Sequence, residues 1–255
     1  HIETSASALA KSLQPLLHSS YIASADDSLA LDYSARDLSW MLDAPGGAEN
    51  LRVGLGCRGE SGLVAFVCAI PSPLVYDRTP LESAVEVSLL CVHREWRGRG
   101  LTKLLLAELR RRADVADVRC AIFTEARPRY TLPMLRADCY HRPLSVANLV
   151  RSGFWELSEQ ETRMARKLSH LPRGLPRALT HPPGVASLPP CKLRPFRSGD
   201  VEQSHRLLRA RAREFALAPS FTAEQMRHRL LGDAAHSLAL VRTRDASPRD
   251  KLVFY

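Results

Sequence analysis

The chain has 255 residues, which is enough for one large domain or two small ones. It is basic, with 36 Lys and Arg against 27 Asp and Glu and a formal net charge of +9. Such a charge suits a nucleic acid, an anionic membrane or a phosphorylated ligand, although dispersed arginine is typical of a solvated surface. No apolar run reaches the length of a membrane span, and no secretory segment opens the chain. We expect a cytoplasmic protein, and His1 in place of an initiator Met predicts a fragment or a processed form.

The six cysteines are spread along the chain, and none belongs to a CxxC or CxxH pair. This spacing predicts no zinc site and no other metal centre. Cys68, Cys91 and Cys120 lie in apolar, strand-like runs, which predicts reduced, buried thiols in a cytosolic protein. Aromatic residues are only 6% of the chain, so the arginine clusters lack the stacking partners of a nucleic-acid interface.

The first half of the chain predicts two helices followed by strands. Leucines at helical spacing predict a helix from Ala6 to Leu17, and residues 21–32 are a polar, acidic loop. Ser34 and Asp37 predict a capping box, and Pro45-Gly46-Gly47 ends that helix. The next predicted elements are strands Leu51–Cys57 and Leu63–Ile70 with a turn at 58–62, strand Val85–Val92, helix Leu101–Leu109, strand Cys120–Phe123, helix Ser145–Arg151, and a strand that starts at Gly153-Phe154.

The segment from Val85 to Thr102 joins an apolar strand to an apolar helix through the basic turn Arg97-Gly98-Arg99-Gly100. Free N–H groups at a helix N-terminus favour an anion, and the helix dipole favours it further. Glycines let the backbone approach that anion closely, and arginines add positive charge. This order predicts a site for the pyrophosphate of an acyl-coenzyme A.

A change in composition predicts a stiff, proline-rich connector at residues 169–192, between a first domain at 1–168 and a second at 193–255. In the second domain, a strand leads into an arginine-rich helix from about Asp200 to Phe215. Phe221 to Glu224 opens another helix, and Leu238–Val241 and Leu252–Tyr255 are predicted strands. This part ends before a cofactor-type strand and turn of its own, so we expect a truncated chain.

The order of these elements resembles the GCN5-related N-acetyltransferase (GNAT) fold. The phosphate signature of that family, Arg/Gln-x-x-Gly-x-Gly/Ala, is similar to residues 97–102, with Thr102 in place of the last small residue. The resemblance implies an α/β (α+β) fold of the GNAT-like acyl-CoA N-acyltransferase type. Its first unit would be complete and its second tandem unit incomplete.

From about Leu13 to Tyr255, several short sequence motifs resemble those of eukaryotic N-myristoyltransferase and occur in the same order. Val85 to His93 is similar to the family's Glu-Ile-Asn-Phe-Leu-Cys-Val-His, and Tyr140 to Leu144 is similar to its Trp-His-Arg-Ser-Leu. The resemblance implies direct transfer of myristate from myristoyl-CoA to N-terminal glycine peptides of client proteins. It also implies a monomer that binds no nucleic acid or metal and has at most peripheral contact with membranes or ribosomes.

The resemblance assigns roles to individual residues. The backbone N–H groups of Leu89 and Leu90 would stabilise the oxyanion, beside Ser88, which replaces the family's amine-guiding Asn. The residues expected to bind the cofactor are Leu89, Leu90, Cys91, Val92, Arg97, Gly98, Arg99, Gly100, Leu101 and Thr102. The residues expected to bind the peptide are Tyr21, Asp26, Asp27, Tyr33, Thr124 and Tyr255.

The sequence also departs from the family. The family's Thr-Ala-Gly motif is Thr124-Glu125-Ala126 here. The family's N-terminal Phe-Trp segment and its catalytic C-terminal carboxylate have no counterpart in this sequence. Three alternatives therefore stay open: a GNAT enzyme that uses acetyl-CoA, an inactive fragment that only binds acyl-CoA, and a basic module for nucleic acid or acidic membranes. Competition between myristoyl-CoA and acetyl-CoA separates the first alternative from myristoyl transfer.

Overall fold

The structure is a computed structural model. It describes residues 5–22, 30–46, 51–56, 62–124, 146–154, 156–169, 191–232, 237–242 and 251–252. Of these, 5–22, 30–123 and 191–252 with their gaps belong to one compact unit, and Thr124 and 146–169 belong to a second. The helices and strands confirm the mixed α/β class. The proposed domain limits at 168 and 193 stay a prediction.

Two helices with serine caps open the first unit. Helix α1 spans Ala6–Ser20, and the Ser5 hydroxyl accepts a hydrogen bond from the N–H of Ala8 at 3.2 Å. Helix α2 spans Ala35–Leu42 and begins with the predicted capping box of Ser34 and Asp37. Their leucines pack with Phe66 and Leu89 in one core cluster. The two helices therefore cover one face of the neighbouring sheet.

The sheet beneath these helices contains β1 (Arg52–Gly56), β2 (Leu63–Pro71), β5 (Ala84–Val92) and β6 (Cys120–Ile122) in the order β1-β2-β5-β6, and helix α3 (Leu101–Val115) lies between β5 and β6 in the sequence. Strands β1, β2 and β5 are antiparallel neighbours, whereas β6 runs parallel to β5. A parallel pair needs a crossover connection, which helix α3 provides by packing Leu105 and Leu109 on the second face of the sheet.

The described part of residues 191–252 adds two helices and a second antiparallel sheet. This sheet contains β7 (Cys191–Pro195), β9 (Leu238–Arg242) and β10 (Lys251–Leu252) in the order β10-β9-β7. A further sheet joins this part to the earlier residues, because Leu74–Tyr76 pairs with Leu217–Pro219. This further sheet contains β3 (Leu74–Tyr76), β4 (Thr79–Leu81) and β8 (Leu217–Pro219) in the order β4-β3-β8, and the two helices are α6 (Val201–Ala212) and α7 (Ala223–Leu231).

Helix α7 is held against helix α2 by a reciprocal contact. The indole N–H of Trp40 donates to the carbonyl of His228 at 3.0 Å, and Nε2 of His228 lies 2.8 Å from the carbonyl of Trp40. The two rings stack with centroids 5.5 Å apart and an interplanar angle of 9°. Residues 188 positions apart in the sequence are thereby packed into one unit.

The strand predicted to start at Gly153-Phe154 is wrong. Gly153 has a φ of 72° within a turn, and helix α5 (Glu159–Ser169) follows helix α4 (Val146–Arg151). The cause is a capping box: the N–H of Ser158 donates to the Glu161 carboxylate at 2.9 Å, and the N–H of Glu161 donates back to the Ser158 hydroxyl at 3.3 Å.

Several boundaries also differ from the prediction. Helix α3 extends beyond Leu109 to Val115, because the Glu108 carboxylate accepts hydrogen bonds from Arg111 and Arg112. The hairpin of β3 and β4 was not predicted. Apart from Gly62, the predicted turn at 58–62 lies outside the described residues, as do residues 253–255. Among the described helices, none combines the length and apolar character required to cross a membrane.

Candidate functional site

Strand β5 contains a β-bulge at Leu89 and Leu90. Cys91 lies opposite Phe66 and Ser88 lies opposite Cys68, so two residues of β5 face a single residue of β2. Leu89 has a φ of 54°, in the left-handed region that a leucine rarely adopts. A bulge leaves the extra residue out of the regular ladder. The backbone at this point is therefore free from regular pairing with β2.

Because of the bulge, odd-numbered residues of β5 lie on one face of the sheet before Leu89 and on the opposite face from Leu89 onwards. Val85 and Val87 pack with helix α3, whereas Leu89 and Cys91 pack with helices α1 and α2, although all four stand at odd positions. A regular strand would place them on one face. The left-handed backbone conformation of a non-glycine residue costs about 1–3 kcal/mol. Leu89 is 1% exposed, so burial of its side chain offsets this cost.

Among the described residues, the second edge of strand β5 is paired only near its start. Strand β6 pairs with Ala84–Glu86, and no described strand pairs with this edge of β5 from Val87 to Val92. The bulge therefore lies beside an edge without a described strand partner, and the backbone of such an edge can bind an extended ligand.

The turn after β5 depends on two glycines with positive φ. A short 3-10 turn at Arg94–Trp96 leads into Gly98, with a φ of 77°, and Gly100, with a φ of 78°. Side chains rarely tolerate this conformation, although a Cβ atom at either glycine would meet no atom within 4 Å. The glycines are thus required by the backbone conformation rather than by crowding.

Gly100 is the N-cap of helix α3, and it provides no side-chain cap. The N–H groups of Lys103 and Leu104 donate to its carbonyl at 3.0 and 3.3 Å. The N–H groups of Leu101 and Thr102 have no intrahelical acceptor, because they precede the first full helical turn. Uncapped N–H groups at the positive end of a helix dipole favour a bound anion.

The two arginines of the turn have different surroundings. The Nε of Arg97 donates to the carbonyl of Val92 at 3.2 Å, and its Nη2 donates to the carbonyl of Ser20. The guanidinium carbon of Arg99 lies 4.6 Å from the ring centroid of Trp96. Arg99 makes no hydrogen bond or ion pair with the described residues, so its N–H edge can reach a ligand.

The thiols near the bulge are protonated at neutral pH. Burial raises the pKa of Cys68 to about 12, and burial raises the pKa of Cys91 to about 11 despite the nearby Arg97 charge. A thiolate is the nucleophilic form of cysteine. Strand β5 therefore provides backbone groups rather than a nucleophile, and no group of His, Cys, Asp or Glu in the described residues could hold a metal ion.

The described part of the predicted peptide-binding region centres on two tyrosines. The rings of Tyr21 and Tyr33 have centroids 6.4 Å apart, and burial, followed by the proximity of Tyr33, raises the pKa of Tyr21. The N–H of Leu31 donates at 2.8 Å to the carbonyl of Ile22, which is next to Tyr21 in the sequence. Asp26, Asp27 and Tyr255 lie outside the described residues, and exposed Thr124 belongs to the second unit.

Sequence reasoning missed three neighbours of this site. The ring of Trp96 packs against the guanidinium of Arg99, which lies three positions later in the sequence. Ser20 contacts the turn across 77 positions, a distance in sequence that no local pattern reveals. His93 has a buried Nδ1 atom without a hydrogen-bond partner among the described residues.

Comparison with known proteins decides the family. Residues 1–139 match the N-terminal domain of myristoyl-CoA:protein N-myristoyltransferase. The chain belongs to the N-myristoyltransferase family. A probable glycylpeptide N-tetradecanoyltransferase of Caenorhabditis elegans is 33% identical over 218 residues, which are 84% of this chain and 44% of that protein. The glycylpeptide N-tetradecanoyltransferase of Aspergillus fumigatus is 31% identical over 86% of this chain and 42% of that protein.

The fold agrees with this N-myristoyltransferase assignment. The crystal structure of Saccharomyces cerevisiae N-myristoyltransferase with bound myristoyl-CoA superposes with a TM-score of 0.76 at 25% identity. The similarity covers 98% of this chain and 57% of that chain, which confirms the GNAT-like α/β fold. The chain spans less than half the length of the curated relatives described above.

Proposed function

We propose that this chain binds myristoyl-CoA and transfers its myristoyl group to the N-terminal glycine of proteins. The observation that carries the proposal is a bulged strand edge, which no described strand pairs with, followed directly by a helix N-terminus without a side-chain cap. A thioester needs backbone donors near its carbonyl oxygen, and a pyrophosphate needs an anion site a short distance further along. Strand β5 and helix α3 provide these two features in that order.

The bulge would serve the chemical step. Attack of an amine on the thioester carbonyl places negative charge on its oxygen, and the N–H groups of Leu89 and Leu90 would stabilise that charge. Because these donors belong to the backbone, leucine can stand where relatives have phenylalanine. The half-buried Ser88 would guide the amine, and Cys91 and Val92 would line the extended acyl-CoA chain.

The turn would hold the coenzyme. The N–H groups of Leu101 and Thr102 would donate to the pyrophosphate, and Gly98 and Gly100 would let it approach the backbone. Arg97 and Arg99 would add positive charge beside it.

The residues proposed to contact the peptide are Tyr21, Asp26, Asp27, Tyr33, Thr124 and Tyr255. Residues 193–255 would begin a second GNAT-like unit, after the connector at 169–192. The protein would act as a cytoplasmic monomer on client proteins, with at most peripheral contact with membranes or ribosomes and none with nucleic acid.

Competition binding tests the acyl donor. The chain is titrated with myristoyl-CoA by calorimetry, and the titration is repeated in excess acetyl-CoA. We expect myristoyl-CoA to bind at least about tenfold more tightly, since burial of each extra CH₂ contributes about 0.8 kcal/mol. Equal affinities would overturn the long-chain assignment in favour of an acetyltransferase.

Mass spectrometry tests the transfer itself. The chain is incubated with myristoyl-CoA and a peptide that begins with glycine, and the peptide is examined for the added myristoyl mass. The same peptide with an acetylated N-terminus is the control, because it has no amine to attack the thioester. Tight binding without transfer would favour a form that only binds acyl-CoA.

A further inference from the structure

The hydrogen bonds of Arg97 connect the phosphate turn to two other elements. One acceptor, the carbonyl of Val92, ends strand β5, and the other, the carbonyl of Ser20, ends helix α1. The last carbonyls of a helix lack intrahelical donors, and an arginine near this negative end of the dipole stabilises it. Arg97 therefore caps helix α1 from a distant part of the sequence.

A second contact at the same point supports this connection. The N–H of Arg94 donates to the hydroxyl of Ser20 at 3.3 Å, and Ser20 is only 2% exposed. The backbone of the turn and the side chain of Arg97 thus both hold the end of helix α1. Tyr21 follows Ser20 directly, so this contact also fixes the start of the predicted peptide-binding segment.

Unlike Arg97, Arg99 makes no hydrogen bond to helix α1 or to strand β5 among the described residues. Its guanidinium stacks on Trp96, which orders the side chain without using its N–H groups. The two arginines lie two positions apart in the same exposed turn. Arg97 uses its Nε and Nη2 atoms to bind two protein carbonyls, whereas Arg99 binds no carbonyl of the described residues.

We propose that Arg97 is a positioning residue, which fixes the phosphate turn to helix α1, and that Arg99 supplies the charge that contacts the phosphate. This inference rests on the proposed binding of acyl-CoA. It assigns separate tasks to two residues that the sequence pattern treats as equivalent.

Lysine substitutions separate the two tasks, because lysine keeps the charge but lacks the planar fork. Arg97→Lys, Arg99→Lys and the control Arg110→Lys, on the exposed side of α3, are titrated with myristoyl-CoA. We expect Arg97→Lys to lose about tenfold in affinity, Arg99→Lys to stay within about threefold of the unmodified chain, and the control to remain unchanged. Equal losses for the first two variants, or a smaller loss for Arg97→Lys, would overturn the assignment.

Amide hydrogen exchange tests the connection without any ligand. The N–H of Tyr21 donates to the carbonyl of Leu17 at 3.0 Å in the last turn of helix α1. We expect exchange at this amide to accelerate about tenfold in Arg97→Lys and to stay unchanged in Arg99→Lys. Unchanged exchange in Arg97→Lys would show that Arg97 does not hold this helix end.

The two measurements distinguish failure of this inference from failure of the proposed function. If the unmodified chain binds no myristoyl-CoA, the proposed function and the phosphate role of Arg99 are overturned together. The exchange result still decides whether Arg97 fixes the end of helix α1. Circular dichroism and thermal unfolding of each variant confirm that the fold is retained.

Discussion

Two strand-to-helix connections in this chain differ in the residue at the start of the helix, which is a glycine in one and an aspartate in the other. Strand β5 leads to helix α3 through glycines with positive φ, and the first N–H groups of that helix lack a side-chain cap. Strand β7 leads to helix α6 through Asp200, whose carboxylate accepts hydrogen bonds from Arg194 at 2.7 and 2.8 Å and from the N–H of Arg197 at 2.8 Å. Helix α6 also begins without a side-chain cap, but its N-cap Asp200 carries a negative charge that binds Arg194 and the N–H of Arg197.

The difference shows why a strand followed by a helix is not sufficient to predict an anion site. Asp200 is 8% exposed, and the Arg194 guanidinium beside it lowers the pKa of its carboxyl. A negative charge at the start of α6 repels a phosphate, and this carboxylate already binds the guanidinium of Arg194 and the N–H of Arg197. The basic character of both connections is similar, so the arrangement of donors and acceptors decides between them.

The largest effect is expected from Gly100→Glu. The substitution forces a φ of 78° on a side-chain-bearing residue and places a negative charge at the first turn of helix α3. We expect the affinity for myristoyl-CoA to fall at least about 100-fold, as measured by calorimetry. Gly199→Glu, in the second connection, is the matched control, because it adds the same charge where a Cβ atom meets nothing within 4 Å. Unchanged affinity in Gly100→Glu would show that the turn is misassigned.

Asp200→Asn tests the second connection. It leaves Arg194 without its bidentate partner at a site where both side chains are nearly buried. We expect the free energy of unfolding to fall by about 3 kcal/mol in urea denaturation. Glu214→Gln, which breaks an exposed pair with Arg211, should change it by less than about 1 kcal/mol. Similar losses of unfolding free energy in both variants would show that burial of the ion pair does not determine its contribution to stability.

The stabilising effect of Asp200 should also depend on pH. Its pKa is lower in the folded chain than in the unfolded chain, so it contributes full stability above about pH 4, its usual range. The contribution is lost as the pH falls through the lowered folded-state value. We therefore expect the stability difference between the unmodified chain and Asp200→Asn to be constant from pH 8 to pH 5 and to shrink towards pH 2. A difference that grows on acidification would reverse the assignment.

The smallest effect concerns the thiols of Cys91, in strand β5 of the first connection, and Cys68, in the neighbouring strand β2. With pKa values of about 12 and about 11, Cys68 and Cys91 have almost no thiolate at neutral pH. Peptide mapping should find neither residue alkylated by iodoacetamide at pH 7.5 in the folded chain, and both alkylated in 8 M urea. Rapid modification of Cys91 in the folded chain would indicate an accessible nucleophile in strand β5.

Local patterns predicted most of the elements. The capping box at Ser34 and Asp37, the apolar strand at Val85–Val92 and the glycines of the turn depend on neighbouring residues, and the structure contains each of them. The sequence does not predict that the side chains of β5 change faces at Leu89. Apolar residues occur on both sides of this strand, and this pattern fits a regular strand equally well. The strand expected at Gly153 is wrong, because Ser158 and Glu161 form a capping box at the start of helix α5.

The amino-acid sequence by itself determined the elements, the family resemblance and the position of the basic glycine turn, because these depend on local conformational preference and on short words in order. Only the tertiary structure decided which residues of the turn have free donors. Arg97 binds the end of helix α1 across 77 positions, and Asp200 binds Arg194 and the backbone of its own turn. Charge alone does not distinguish these arginines, because the folded chain determines which of their donors already have acceptors.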